Sequence, residues 1–400
     1  MTGAPSPALP QALLPHVPAL RHAAGREPLG LYLHVPFCKD RCTYCSFVTT
    51  RDVQLQASVV ARLIRDVRAW GEALGRPAVD TLYLGGGTPS LLTAEELRAL
   101  TAAVREAFDL GPLVEATLEA NPGTVDLPWL EQARNLGWDR VSVGTQTLDD
   151  GLLARLGRIH GAAQALEALD LCRRAGFARR SADLMVGIPG QDLDRVLGDA
   201  RTLVGTGAEH LSIYLLDLDK ACPLKADVEA GRLTLPSEDE VADVFEALQA
   251  ELPALGLLPY EISNYGRPGA ESRHNLRYWQ LRPYLGLGVS AASQLGAFRW
   301  TESTVLPAWI EGRGELELSE LDAAESLSEI PLLGLRLHAG VDWQALRAEG
   351  GRRNLTPLVD SWEDQLRAFG AQGLVTFEGP RVRLTDRGRL LSNAVFQIFV

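Results

Sequence analysis

Cysteine is scarce in this chain, with five in 400 residues, and three of the five fall within eight positions, Cys38 to Cys45. A secreted domain stapled by disulfides uses more of them, spread more evenly, so that framework is excluded. Thiols gathered in one place point to a reducing cytoplasm and to a metal. No apolar run approaches the ~20 residues of a transmembrane helix. A basic excess is also lacking: 39 Lys and Arg stand against 51 Asp and Glu, a net charge of −12. That balance argues against nucleic acid or an anionic membrane as the main partner. The first residues have neither a charged n-region nor an unbroken apolar stretch, which speaks against a secretory signal. Rich in Ala, Pro and Leu, residues 1–29 read as a flexible tail.

What is present suits a folded protein. Hydrophobic residues make up 46% and charged residues 22%, enough to bury a sizeable core. From Leu31 to Leu216 a short β-rich run, a polar or Gly-rich loop and an amphipathic stretch follow one another repeatedly. The predicted strands are Leu31–Val35, Thr81–Leu84, Glu115–Glu119, Arg140–Val143, Ala182–Val186 and Leu211–Leu215. Thr93 and Glu96 form a capping box before a helix whose face is Leu97, Leu100, Val104 and Phe108. Alternating strands and helices imply a parallel sheet. Six repeats are fewer than the eight that close a TIM barrel. The expected fold is therefore α/β, a partial (β/α)6 barrel over residues 30–236, with its site at the carboxyl ends of the strands. Residues 237–300 read as a connecting segment. Residues 301–400 read as a smaller α+β domain, with helices, a hairpin around Glu378–Pro380 and a last helix from Asp386, like a winged helix. Five Arg and five acidic residues from Asp360 to Val400 leave no basic patch there, so a packing or lid role is expected.

The chemistry-bearing motif is Cys38-x3-Cys42-x2-Cys45, in the loop after the first strand. Thiolates are the ordinary ligands of iron–sulfur clusters. Three of them on a four-iron cube leave one iron open to a chelating ligand. A zinc site is the alternative, but zinc is usually closed by four ligands from two paired arms, and the second arm is missing. Cys172 lies on a helix face with Leu166 and Leu169 and reads as core; Cys222 lies in a loop. Next, Gly85-Gly-Gly-Thr-Pro-Ser90 follows the second strand, where backbone groups can approach a ligand closely. Later strand ends and their loops carry Glu119, Gln146, Arg158 and Asp183.

Tyr32-x-His34-x-Pro36-Phe37-Cys38-x3-Cys42-x2-Cys45 is similar to the radical SAM (S-adenosylmethionine) family. The likeness is to the group that holds oxygen-independent coproporphyrinogen III oxidases and heme chaperones, and it runs from about Leu31 to the C-terminus. It implies a [4Fe-4S] cluster on Cys38, Cys42 and Cys45. It implies SAM contacts from Tyr32, Tyr44, Gly86, Gly87, Thr88, Glu119, Gln146, Arg158 and Asp183, with a backbone contact from Asp217. Within the group, the decarboxylating oxidases have a further Cys two residues after the third; here that position is Phe47. The chaperones carry H-N-x-x-Y-W, which stands here as His274-Asn-Leu-Arg-Tyr278-Trp279. The resemblance thus implies heme, with His274 and Tyr278 as ligand candidates, Trp279 as a stacking face and Arg273 or Arg277 for a propionate. Ser272 stands where relatives often have Cys, and Ala292 where they have His. The expected function is transfer of heme to an acceptor haemoprotein, such as a respiratory one. The alternatives are a radical SAM coproporphyrinogen oxidase, with an electron donor protein, and an iron–sulfur scaffold without turnover. The motif is expected at the barrel mouth, or on the C-terminal domain facing it.

Overall fold

The computed structural model describes residues 9–400. Six strands come first: β1 (Leu29–Val35), β2 (Val79–Gly86), β3 (Glu115–Ala120), β4 (Arg140–Gln146), β5 (Arg179–Val186) and β6 (His210–Leu215). They are parallel and lie side by side in chain order. Helices return the chain between them, each burying its apolar stripe on the sheet. Helix Ala94–Ala107 starts at the expected Thr93–Glu96 capping box, and Gly75 ends helix Gln56–Leu74 in the left-handed conformation. The result is the partial (β/α)6 barrel, open at both edges.

Both edges are extended by residues 237–320, so this part of the chain does more than connect. The short pair β7 (Leu258–Pro259) and β8 (Asn264–Gly266) adds antiparallel to β6. On the far side β9 (Tyr284–Leu287) runs parallel to β1, followed by antiparallel β10 (Ala292–Leu295), β11 (Phe298–Thr301) and β12 (Glu317–Glu320). One twelve-stranded sheet therefore reaches Glu320, past the boundary at 301 expected from sequence. Beyond it, five α-helices and the small antiparallel sheet of β13 (Val341–Asp342), β14 (Val375–Glu378) and β15 (Arg381–Leu384) have their own core, with Leu327, Trp343, Val359, Trp362 and Leu366 in it. This is the winged-helix-like domain.

The expected tail is corrected from Leu9 onward. Gln11–His16 forms a 3-10 turn and Val17–Ala24 an α-helix, and Leu13, Leu20 and Ala24 are buried in the main core. Burying two leucines offsets the ordering of a short helix, at about 1.5–3 kcal/mol each. Residues 1–8 lie outside the described part. Among the described residues no helix is long and apolar enough to cross a membrane.

Candidate functional site

The cysteine loop leaves the carboxyl end of β1 and is held over the barrel by backbone pairing. Cys38 N–H donates to Thr50 O at 3.0 Å, Thr43 N–H to Leu156 O at 3.0 Å, and Cys45 N–H to Cys42 O at 3.2 Å. The loop roofs an open cavity of about 380 Å³ at the carboxyl ends of the strands. Cys38, Cys42 and Cys45 all line it. Each is half-buried and unpaired. Gly86, Gly87 and Thr88 form one wall. A Cβ on Gly87 would stand 2.6 Å from Phe37 O and 3.1 Å from Cys38 Sγ, so only glycine lets the loop pass behind the cysteine. Gly86 has φ 112°, a conformation that suits glycine.

The opposite wall comes from later strand ends. Glu119, Gln146, Arg158 and Asp183 all face the cavity, as do Tyr44 and Asp217. Gln146 sits in a register shift of β4, at φ 66°, uncommon for a residue with a side chain. The bulge turns it toward the cavity, and Thr145 inside the bulge donates its hydroxyl to Asp183 O. Arg158 donates to Asn121 Oδ1, to Gly144 O at 2.7 Å and to Cys42 Sγ at 3.5 Å. Tyr32 is the exception. It does not line the cavity; its hydroxyl meets His34 Nδ1 at 3.0 Å in the layer beneath.

Burial sets the electrostatics. It pushes Glu119 up to about 7 and Asp183 up to about 6, and the Asp183 carboxylate adds to the rise at Glu119. Hydrogen bonds from Tyr83 and Gly86 to Glu119, and from Ser142 and Ser212 to Asp183, hold them lower than burial alone would. Two such carboxyls facing a cavity favour a cationic guest. SAM, with an ammonium and a sulfonium, is one.

Cys38, Cys42 and Cys45 line one cavity, as the ligands of one cluster would. Among the described residues no three His, Cys, Asp or Glu converge on one metal position. A four-iron cube needs its thiolates spread apart around one space, and these three share one cavity. Thr88 Oγ1 at 3.7 Å from Cys38 Sγ and Arg158 Nη1 at 3.5 Å from Cys42 Sγ are donors to sulfur. Arg158 Nε is buried without a partner. Burial raises Cys172 to about 12, as expected of an inert core thiol. Cys222 packs near Tyr44 and Leu216 on the rim, outside the cavity lining.

The H-N-x-x-Y-W motif lies at the other end of the barrel, which corrects its expected place. It forms the helix Arg273–Trp279, capped by Ser272. Glu115, at the start of β3, accepts the N–H groups of Arg273 (3.1 Å) and His274 (3.0 Å). A carboxylate there complements the helix N-terminus. His274 is 1% exposed. Its Nδ1 meets Thr81 Oγ1 at 3.0 Å and its Nε2 meets Tyr278 Oη at 2.9 Å, so neither nitrogen is free for iron. Arg277 is fully buried, paired with Asp80 and donating to Pro28 O and Pro283 O, so it reaches no propionate. The ring of Trp279 is covered by the Arg336 guanidinium at 4.4 Å, from the C-terminal domain. Tyr278 packs edge-on against Tyr284. The motif is the barrel floor. Ser272 is its N-cap.

Sequence reading missed Asn121, Ser142, Tyr83 and Tyr214. Asn121 stands two positions from Glu119, Ser142 lies inside the expected strand Arg140–Val143, and strand alternation would have placed Tyr83 on the inner face with Thr81.

Comparison with known proteins agrees with this geometry. Residues 32–203 match the radical SAM superfamily model and residues 321–391 the HemN C-terminal domain model. A heme chaperone HemW of Mycobacterium tuberculosis is 36% identical over 378 residues, covering 92% of this chain and 94% of the relative. The chain belongs to the HemW family of radical SAM proteins. The HemW of Escherichia coli is 32% identical, with 93% and 98% covered. A mouse mitochondrial radical S-adenosyl methionine domain-containing protein 1 is 35% identical, with 90% and 84% covered. The solved structure of the E. coli coproporphyrinogen III oxidase HemN superposes with a TM-score of 0.82 over 96% of this chain and 93% of its own, at 21% identity, which shows the shared fold.

Proposed function

We propose that this chain binds heme and hands it to an acceptor haemoprotein, in a reducing cytoplasm. A [4Fe-4S] cluster on Cys38, Cys42 and Cys45, and SAM beside it, complete the heme-handling end of the barrel. The observation that carries the reading is full-length similarity to HemW proteins joined to one cavity that gathers all three thiols. When bound, the cluster and SAM supply an electron and an adenosyl group whose S–C5′ bond that electron can break. The chain's own residues hold and orient. Arg158 pairs with the SAM carboxylate. Glu119 and Asp183 accept from its ammonium and ribose hydroxyls. Gly86, Gly87, Thr88, Tyr44 and Gln146 close around it, with Asp217 at the adenine end.

With the floor motif sealed, heme approaches from the cavity mouth. Phe47 is 64% exposed there, with Leu215 at 52% and Tyr214 at 43%. These apolar groups suit a flat porphyrin face, and Arg41 on the same rim suits a propionate. Stoichiometric heme titration tests the reading: a bound Soret band is expected in wild type and in His274→Gln. Phe47→Glu is expected to weaken binding by about tenfold, through a lost aromatic contact and a charge beside the propionates. A wild-type protein with no heme spectrum rejects the proposal. Anaerobic incubation with SAM, a reductant and coproporphyrinogen is expected to give no protoporphyrinogen, because Phe47 replaces the oxidases' additional Cys.

The SAM contacts carry their own prediction. Asp183→Ala is expected to weaken SAM binding about tenfold or more, since hydrogen bonds to charged groups are worth about 1.5–3 kcal/mol. Its iron content stays that of wild type. Arg158→Ala differs, because Arg158 also donates to Cys42 Sγ; both SAM affinity and cluster retention are expected to fall. Calorimetry and iron analysis on the two variants check this.

A further inference from the structure

The floor and the cavity are joined by a continuous set of side chains inside the barrel. His274, fixed by Thr81 and Tyr278, lies against Tyr83 with ring centroids 5.1 Å apart and planes 32° apart. Tyr32 flanks Tyr83 from β1 at 6.0 Å. The Tyr83 hydroxyl donates to Glu119 Oε1 at 2.8 Å. Glu119 Oε2 accepts the Gly86 N–H at 3.1 Å. A rigid floor thus meets the glycine loop through two side chains.

We propose that Tyr83 is a positioning residue for the SAM pocket, fixing Glu119 and through it the Gly86 amide, and that His274 holds Tyr83 in place from the floor below. This rests on the reading of the cavity as a SAM site. It gives the H-N-x-x-Y-W helix a task at the functional end of the barrel without contact to heme or cluster. Tyr83 is half-buried, and its hydroxyl donates to Glu119. The bond leaves the other lone pairs of Glu119 pointing to the cavity, where an ammonium group can use them. Without it, one buried oxygen of Glu119 loses its donor and the carboxyl is free to turn.

The arrangement has a signature in pH. The groups facing Glu119 are Tyr32 on β1, Tyr83 on β2, Asp183 on β5, Tyr214 on β6 and Tyr278 on the floor helix. Of these, Tyr83 lowers the Glu119 pKa and Asp183 raises it, leaving the carboxyl at about 7. Ionised Glu119 is the form that holds an ammonium, so SAM affinity rises with pH through that value. Removing the Tyr83 hydroxyl moves the rise to higher pH.

The test is SAM calorimetry on anaerobically reconstituted wild type and Tyr83→Phe, from mildly acidic to mildly alkaline pH. Phenylalanine keeps the ring contacts and removes only the hydroxyl. The expected result is about tenfold weaker SAM binding at neutral pH. The midpoint of the pH profile is displaced upward, with unchanged iron content. His274→Gln is expected to move the midpoint in the same direction by less. A Tyr83→Phe protein with wild-type affinity and midpoint overturns the proposal, as does a loss of affinity uniform across pH. Wild type that binds no SAM overturns the cavity assignment itself.

Discussion

Arg277→Ala is expected to lower the unfolding free energy by about 3–5 kcal/mol, the usual loss when one partner of a buried ion pair is removed. Arg277 has no exposed surface. Its guanidinium answers the Asp80 carboxylate, the Thr81 hydroxyl at 3.2 Å and the carbonyls of Pro28 (3.0 Å) and Pro283 (2.9 Å). Alanine leaves these acceptors in a cavity under β1 and β2. Arg282, 3.0 Å from the other Asp80 oxygen, retains part of the charge balance and places the loss toward the lower end of the range. Arg273 begins the same helix with its side chain exposed. Arg273→Ala is expected to change stability by no more than about 0.5 kcal/mol. Urea unfolding of the two variants separates a structural floor from a heme clamp. A floor gives a large stability loss at Arg277 and no change in heme affinity per folded molecule.

Replacing Cys38, Cys42 or Cys45 by Ala is expected to reduce bound iron from about four per chain to near none after anaerobic reconstitution, since a cube with two protein ligands is poorly held. Cys172→Ala is expected to keep full iron, because that thiol is sealed in the core between helix and sheet. Cys222→Ala is expected to keep it as well, because Cys222 stands outside the cavity lining. Iron and sulfide analysis decides the matter. A Cys42→Ala protein that holds four irons contradicts the ligand assignment.

The parallel core was legible because each strand pairs β-branched or leucine-rich runs with a following helix of clear period. All six expected strands are present, each a residue or more longer. The cavity was legible for a related reason. In such a sheet the ends of successive strands meet, so Glu119, Gln146 and Asp183 are neighbours whatever their separation in sequence. The floor was not. His274, Arg277 and Tyr278 are polar, and a seven-residue helix has too little periodicity to declare a buried face. Long-range pairings tell which end of the barrel it closes: Glu115 with that helix's N-terminus, across 159 positions, and Thr81 and Asp80 with His274 and Arg277. The same string of His, Tyr and Trp reads as a ligand set until Thr81, Tyr278 and Arg336 are seen to occupy it. Strands β9 to β12, four residues each, were too short to separate from loop. The N-terminal helix was hidden by Pro10, Pro15 and Pro18, which suggest a tail, although Leu13 and Leu20 lie one heptad apart and face the core.

Heme transfer itself can be measured directly. Protein reconstituted with its cluster and loaded with one heme is mixed with an apo-haemoprotein, and the two are separated and scanned. The Soret absorbance is expected to leave this chain and appear on the acceptor, for wild type and for His274→Gln alike. Heme that is never bound, or that stays on the chain while the acceptor remains empty, contradicts the proposed function.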